Sequence, residues 1–278
     1  MGVEFRTMQT QPNPDIDSPF DLRSETIAAF QRDGFVKLPK VLSPAAIAAY
    51  APAITAQVTA RAKDLPPLEQ RNTYGKAFLQ ICNLWPVDET IRRFVFAKRL
   101  ARLAAELMGC RGVRMYHDQA LDKEPGGGFT PWHADQQYWP MATGKSVTAW
   151  IPLQAVPLEM GPLAFAVGSQ RIVEGRDLAI SDESEIRIGQ TLNDVPKSET
   201  AYALGEVSYH AGWTFHRAGA NRTDRFRRVM TIIYMDIDMR LKEPENKSQR
   251  SDWGNWCPGA KVGEIIDSPL NPVLWQRE

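Results

Sequence analysis

The stretch Thr130-Pro131-Trp132-His133-Ala134-Asp135-Gln136-Gln137-Tyr138-Trp139-Pro140 sets an imidazole and a carboxylate two positions apart. Side chains of an extended chain alternate with a period of two, so His133 and Asp135 are expected on one face. A nitrogen and an oxygen donor so placed make up two thirds of a His/His/carboxylate face. Such a face holds non-haem Fe(II) and leaves coordination positions open for oxygen chemistry. A pattern this short also arises by chance, and a solvated histidine beside a surface aspartate is its ordinary meaning. A third ligand elsewhere in the chain has to decide.

Histidine is scarce, and His117, His133, His210 and His216 are the full set. His210 and His216 both follow the motif, and their surroundings differ. After His216 the chain runs through Gly219 and Asn221, a turn that brings it back alongside itself. A residue about eleven positions on then lies beside the histidine on an antiparallel neighbour. Arg227 stands there, and its planar guanidinium matches the two oxygens of a carboxylate. Arg228 is expected to face away. His210 has no arginine at that offset and is expected, like His117, to be a structural histidine.

The elements around these residues change character along the chain. A short helix over 21–32 ends at Gly34, and Phe35-Val36-Lys37-Leu38 reads as a strand. Ser43-Pro44 is a helix start, a capping hydroxyl followed by proline at the first helical position. Asp88 caps another helix, with Leu100, Leu103, Ala104 and Leu107 at helical spacing and Gly109 as its stop. Residues 21–110 are therefore expected to be mainly helical support. Strands follow at 113–121, 146–153, 161–168, 206–215 and 227–237. Residues 170–200 are polar with little periodicity, a candidate lid. Residues 241–278 read as an irregular tail that Trp253, Trp256 and Trp275 anchor. Helices followed by many short strands predict a sandwich or barrel with helices on one side, in one domain spanning 1–278.

Composition bounds the partners. Lys plus Arg (33) balance Asp plus Glu (33), so no global basic field recruits nucleic acid or an anionic membrane. Cys82, Cys110 and Cys257 form no C-x-x-C pair, which argues against a zinc ribbon or disulfide framework and suits a reducing cytoplasm. Residues 1–20 are polar and carry no apolar signal-peptide core, and no apolar run approaches the roughly 18 residues that cross a bilayer. Gly168-Ser169-Gln170 lacks the G-x-S-x-G elbow of a serine hydrolase. A cytoplasmic protein with a small-molecule substrate is the expectation.

Taken together, His133-Ala134-Asp135, His216 with Gly219 and Asn221, and Arg227 resemble the phytanoyl-CoA dioxygenase family of Fe(II)/2-oxoglutarate oxygenases. Asp33-Gly34-Phe35-Val36, Tyr116-His117-Asp118-Gln119, Lys123-Glu124-Pro125-Gly126-Gly127 and Trp150 extend the resemblance over most of 25–240. It implies a double-stranded β-helix (a cupin-like jelly roll) over 112–240, mainly β with flanking helices. It implies Fe(II) on His133, Asp135 and His216, with O2 as co-reactant. It also implies 2-oxoglutarate gripped by Arg227, with Trp150 and Gln119 close to it. Relatives often carry a serine or threonine two residues after the distal histidine, where this chain has Ala218. The carboxylate of Asp135 separates the chain from related halogenases and makes hydroxylation the first expectation, ahead of desaturation, epoxidation or cyclisation. Phe129, Tyr138 and Trp139 are candidates for the substrate pocket, whereas Trp213 and Phe215 are as readily core. A small secondary metabolite or its precursor is the expected substrate. A zinc-type hydrolase or isomerase on the same face, or a non-catalytic jelly-roll binding protein, are the rivals.

Overall fold

The computed structural model describes residues 14–278. The expectation of no signal-peptide core at 1–20 lies mostly outside that range.

The helical half follows its local signals. α1 (Ser24–Asp33) ends at Gly34 and leads into β1 (Phe35–Leu38). α2 (Pro44–Arg61) is capped by Ser43, whose hydroxyl accepts the amide of Ala46. α3 (Thr73–Ala77) and β2 (Leu79–Cys82) come next. The single helix expected after Asp88 is two, α4 (Glu89–Val95) and α5 (Lys98–Met108). The helix breaks where Phe96 turns out to pack on Trp85, ring centroids 5.2 Å apart.

The strands form two antiparallel sheets. In chain order they are β3 (Gly112–Asp122), β4 (Thr130–His133), β5 (Ser146–Pro152), β6 (Leu163–Ala166), β7 (Lys197–Glu199), β8 (Val207–Ala211), β9 (His216–Ala218), β10 (Val229–Asp236) and β11 (Val273–Gln276). The larger sheet runs β1-β8-β5-β10-β3-β11, with β2 also on β3, and the smaller runs β4-β9-β6-β7. This is a jelly-roll core with flanking helices.

Alternation along the larger sheet sorts core from site. Val147, Ala149 and Ile151 of β5, with Met230, Ile232 and Tyr234 of β10, pack into a core shared with α2, α4 and α5. The residues between them point the other way, toward the smaller sheet. Pairing aligns Ser208, Trp150, Thr231, Gln119 and Cys82 in one row across the sheet. His210, Thr148, Ile233 and His117 form the next.

Three expectations need correction. The strand expected over 206–215 is divided, and the chain leaves the larger sheet after Ala211 and enters the smaller at His216. Gly212 permits the crossing, because a Cβ there would collide with the side chains of Ser146 and Gln136. Residues 170–200 are not structureless. They contain α6 (Asp182–Thr191), capped reciprocally by Ser181 and Ser184, and its Ile188 is buried against Trp132 and Phe215. Finally, 241–278 is not an irregular tail, since α7 (Lys247–Trp256) is capped by Asn246 and β11 pairs with the start of β3. Among the described residues no helix is long and apolar enough to cross a membrane.

Candidate metal centre and its pocket

His133 closes β4, and Ala134 continues extended (φ −121°, ψ 130°) before the chain turns into a short 3-10 helix at Asp135. Two extended residues suffice to bring His133 and Asp135 to one side. β9 pairs with β4 so that His216 lies directly opposite His133. The imidazole centroids are 4.1 Å apart. The Nε2 atoms of His133 and His216 are each 3.6 Å from Asp135 Oδ1. One donor atom from each of the three residues lies within 4.8 Å of the others, a group able to hold a metal ion.

Hydrogen bonds select the form a metal requires. His133 Nδ1 donates to the Pro131 carbonyl at 2.7 Å and His216 Nδ1 to that of Thr214 at 3.0 Å. Each bond fixes the ring and leaves the Nε2 lone pair facing the centre. Burial, with His133 and His210 close by, pushes His216 well below its usual range, so it is neutral. Burial works against an ionised Asp135, but His216, His133 and His210 outweigh it and hold the carboxyl well below the usual range.

The outer oxygen of Asp135 is braced. Thr148 Oγ1 donates to Oδ2 at 2.9 Å and His210 Nε2 does so at 3.1 Å. His210 therefore does more than the structural role expected of it. It lies between the ligand carboxylate and the His216 ring, whose centroid is 4.3 Å away, and its buried Nδ1 has no partner. The alternation of β8, which turns Ser208 and His210 to the site face, was the signal available for it.

Arg227 reaches the same cavity by a different route from the one expected. β9 and β10 are not paired neighbours; they belong to the two facing sheets. Arg227 forms a bridge with Lys123, just beyond the end of β3 and ahead of β10. Its side chain is 2% exposed and donates to the Gly161 carbonyl at 2.6 Å, while Nε has no partner. Its guanidinium lies 5.5 Å from the Trp150 ring. Burial pulls the group down to about 10, and Asp122 and Tyr202 oppose that only in part. A buried cation with an open donor and no carboxylate bonded to it fits the distal carboxylate of a 2-oxo acid.

One cavity of about 280 Å³ is lined by the triad, Arg227, Trp150, Gln119 and Thr231. Gln119 accepts from Gln80 Nε2 at 2.5 Å. Ala218 lines it without a hydroxyl, and its cross-strand partner Thr130 lines it too. Tyr138 and Trp139 form part of the wall. Phe129 does not, because it is half-buried beneath the Arg217 guanidinium, 5.7 Å from its ring. Trp213 also stays outside, under Arg176, and Phe215 is core. Sequence reasoning missed His117, Tyr74 and the whole contribution of α7, from which Asp252 and Trp256 enter the wall. Of the tail tryptophans, Trp253 does anchor, donating to the Ala260 carbonyl at 2.9 Å.

The family model for phytanoyl-CoA dioxygenase (PhyH) matches residues 30–229. No curated protein matches the chain. Among solved structures, the chain is similar to the non-heme alpha-ketoglutarate-dependent carbocyclase SnoK from nogalamycin biosynthesis. That likeness has a TM-score of 0.75 and 23% identity over 92% of this chain and 99% of that one. It is also similar to the epimerase SnoN of the same biosynthesis, with TM-score 0.74 and 25% identity over 91% and 96%. EctD from S. alaskensis, solved with 2-oxoglutarate and 5-hydroxyectoine, aligns at TM-score 0.66 and 20% identity over 86% and 88%. The chain belongs to the phytanoyl-CoA dioxygenase family of iron- and 2-oxoglutarate-dependent enzymes.

Proposed function

We propose that this enzyme binds Fe(II) through His133, Asp135 and His216, anchors 2-oxoglutarate on Arg227, and hydroxylates a small organic molecule. Bound iron and 2-oxoglutarate supply the oxidising power, the keto acid leaving as succinate and carbon dioxide while one oxygen atom of O2 serves the substrate. The chain's own residues do the rest. His133 and His216 present lone pairs because their Nδ1 protons are held by backbone carbonyls. Asp135 presents one oxygen because Thr148 and His210 occupy the other. Arg227 orients the keto acid by its far carboxylate, Trp150 packs against the guanidinium, and Thr130 supplies the hydroxyl that Ala218 lacks. The aromatic wall excludes bulk water from the reacting centre.

The observation that carries this reading is Arg227, a desolvated guanidinium without a carboxylate bonded to it, in the same cavity as the triad. A zinc-type hydrolase needs no such anchor. The test is anaerobic visible spectroscopy with Fe(II), before and after 2-oxoglutarate, followed by succinate release and product mass. A ferrous–keto-acid charge-transfer band supports the reading, and metal binding without a band overturns it. A second outcome of the same chemistry, epimerisation, is favoured by SnoN, solved with Fe3+, alpha ketoglutarate and nogalamycin RO at 25% identity. Product mass separates them, since hydroxylation adds an oxygen atom and epimerisation adds none.

A further inference from the structure

The cavity is also lined by a carboxylate that the iron chemistry does not use. α7 turns Ser251, Asp252, Asn255 and Trp256 to the cavity, positions that share one helix face. Asp252 Oδ2 accepts from the Tyr116 hydroxyl at 3.1 Å. Tyr116 reaches it because β3 bulges there. Ile233 pairs with His117 and Tyr234 with Met115, so Tyr116 is the extra residue. Among the described residues no lysine or arginine contributes to the environment of Asp252; burial pushes its carboxyl up to about 7, and hydrogen bonds from the Tyr116 and Trp256 side chains oppose that in part.

An ionised Asp252 has no cation beside it, and a cationic partner would favour its ionised form. Among the described residues that line the cavity, Asp135 and Asp252 are the carboxylates and Arg227 is the guanidinium. Ferrous iron and Arg227 together match Asp135 and the 2-oxoglutarate dianion, which leaves Asp252 over. A substrate hydroxyl would bond to Asp252 but give its ionised form no counter-charge. A substrate carboxylate or phosphate would be repelled. The aromatic side chains of Tyr74, Tyr138 and Trp256 line the same wall, and the face of an aromatic ring attracts cations.

We propose that the α7 side of the cavity binds a protonated amine, or another cationic nitrogen, of the substrate, with Asp252 as counter-ion beside the aromatic side chains that line it. The assignment rests on the oxygenase reading and narrows its substrates to cationic small molecules. It also separates this chain from acyl-CoA chemistry, because among the described residues Arg227 is the one Lys or Arg lining the cavity and none remains to meet the phosphates of such a ligand.

The test is equilibrium dialysis of a library of aryl-alkyl and alkyl amines, with their matching alcohols and carboxylates. It is run on protein loaded anaerobically with Fe(II) and 2-oxoglutarate, and on metal-free protein. Amines should be retained at least tenfold over matched alcohols, carboxylates should be excluded, and Asp252→Asn should abolish the preference. Near-UV circular dichroism checks the fold of that variant. If it is misfolded, Tyr116→Phe replaces it, with a severalfold loss expected. No preference for amines, an empty screen included, overturns the proposal, as does the same preference in the variant. Amine selectivity without the charge-transfer band would sink the oxygenase reading alone; the band without selectivity would sink this assignment alone.

Discussion

Replacing Arg227 by methionine separates ligand affinity from protein stability in an unusual direction. In the free protein the guanidinium is 2% exposed, bonded only to the Gly161 carbonyl, with Nε unpartnered. Its descent to about 10 corresponds to roughly 3 kcal/mol against the charged form. Losing the Gly161 bond costs about 1 kcal/mol, so the variant should be more stable than the wild type by about 2 kcal/mol without ligand. With 2-oxoglutarate bound the balance reverses. Removing one partner of a buried charge pair costs about 3–5 kcal/mol, or about two to four powers of ten in affinity. The assay is an anaerobic titration of the charge-transfer band, alongside urea unfolding of both proteins without ligand. A variant whose band saturates at wild-type 2-oxoglutarate, or one clearly less stable than wild type when ligand-free, refutes the reasoning.

Thr148→Val removes one of the donors that hold Asp135 Oδ2 while keeping the side chain's shape. Fe(II) affinity should fall by about tenfold, read by competition with a chelator, with the fold unchanged. Gly161→Ala places a Cβ against the Gly219 carbonyl at a φ of 70°. Urea unfolding should show a loss of about 3 kcal/mol or more, and 2-oxoglutarate should bind more weakly because Gly161 also receives Arg227. Asp252 is raised to about 7, so the native state keeps a proton that the unfolded chain releases. That contribution is complete below about pH 4 and lost as pH rises through about 7. The stability of Asp252→Asn relative to wild type should therefore improve by about 2–4 kcal/mol between pH 4 and pH 8, measured by urea melts at both.

What could be read from the chain was whatever depends on few neighbours. Ser43, Asp88 and Gly109 act within one turn of their helices, and their signals were plain. His133 and Asp135 share a face because extended residues alternate. Arg227 was reached by an eleven-residue offset presumed to span paired strands, whereas β9 and β10 lie in opposite sheets. The two residues converge on the cavity because the sheets face each other. His210 was set aside for want of an arginine, although its work is to hold a carboxylate rather than a cosubstrate. α6 hid behind a Ser–Ser capping box in place of the usual serine–glutamate pair. α7 carries almost no apolar stripe, because apart from Trp253 and Trp256 its inward face is polar and lines a cavity, so hydrophobic periodicity had little to report.

The match to the family ends at residue 229, and α7 begins at Lys247. The ligands, their braces and Arg227 thus lie on the shared strand framework, while Asp252 and Trp256 hang from a segment outside it. That segment is held at its far end by β11, clipped to the edge of β3. On the cation-site proposal, the segment that selects the substrate is separate from the strands that would hold iron. Replacing residues 241–272 is then expected to change substrate range and leave Fe(II) and 2-oxoglutarate binding intact.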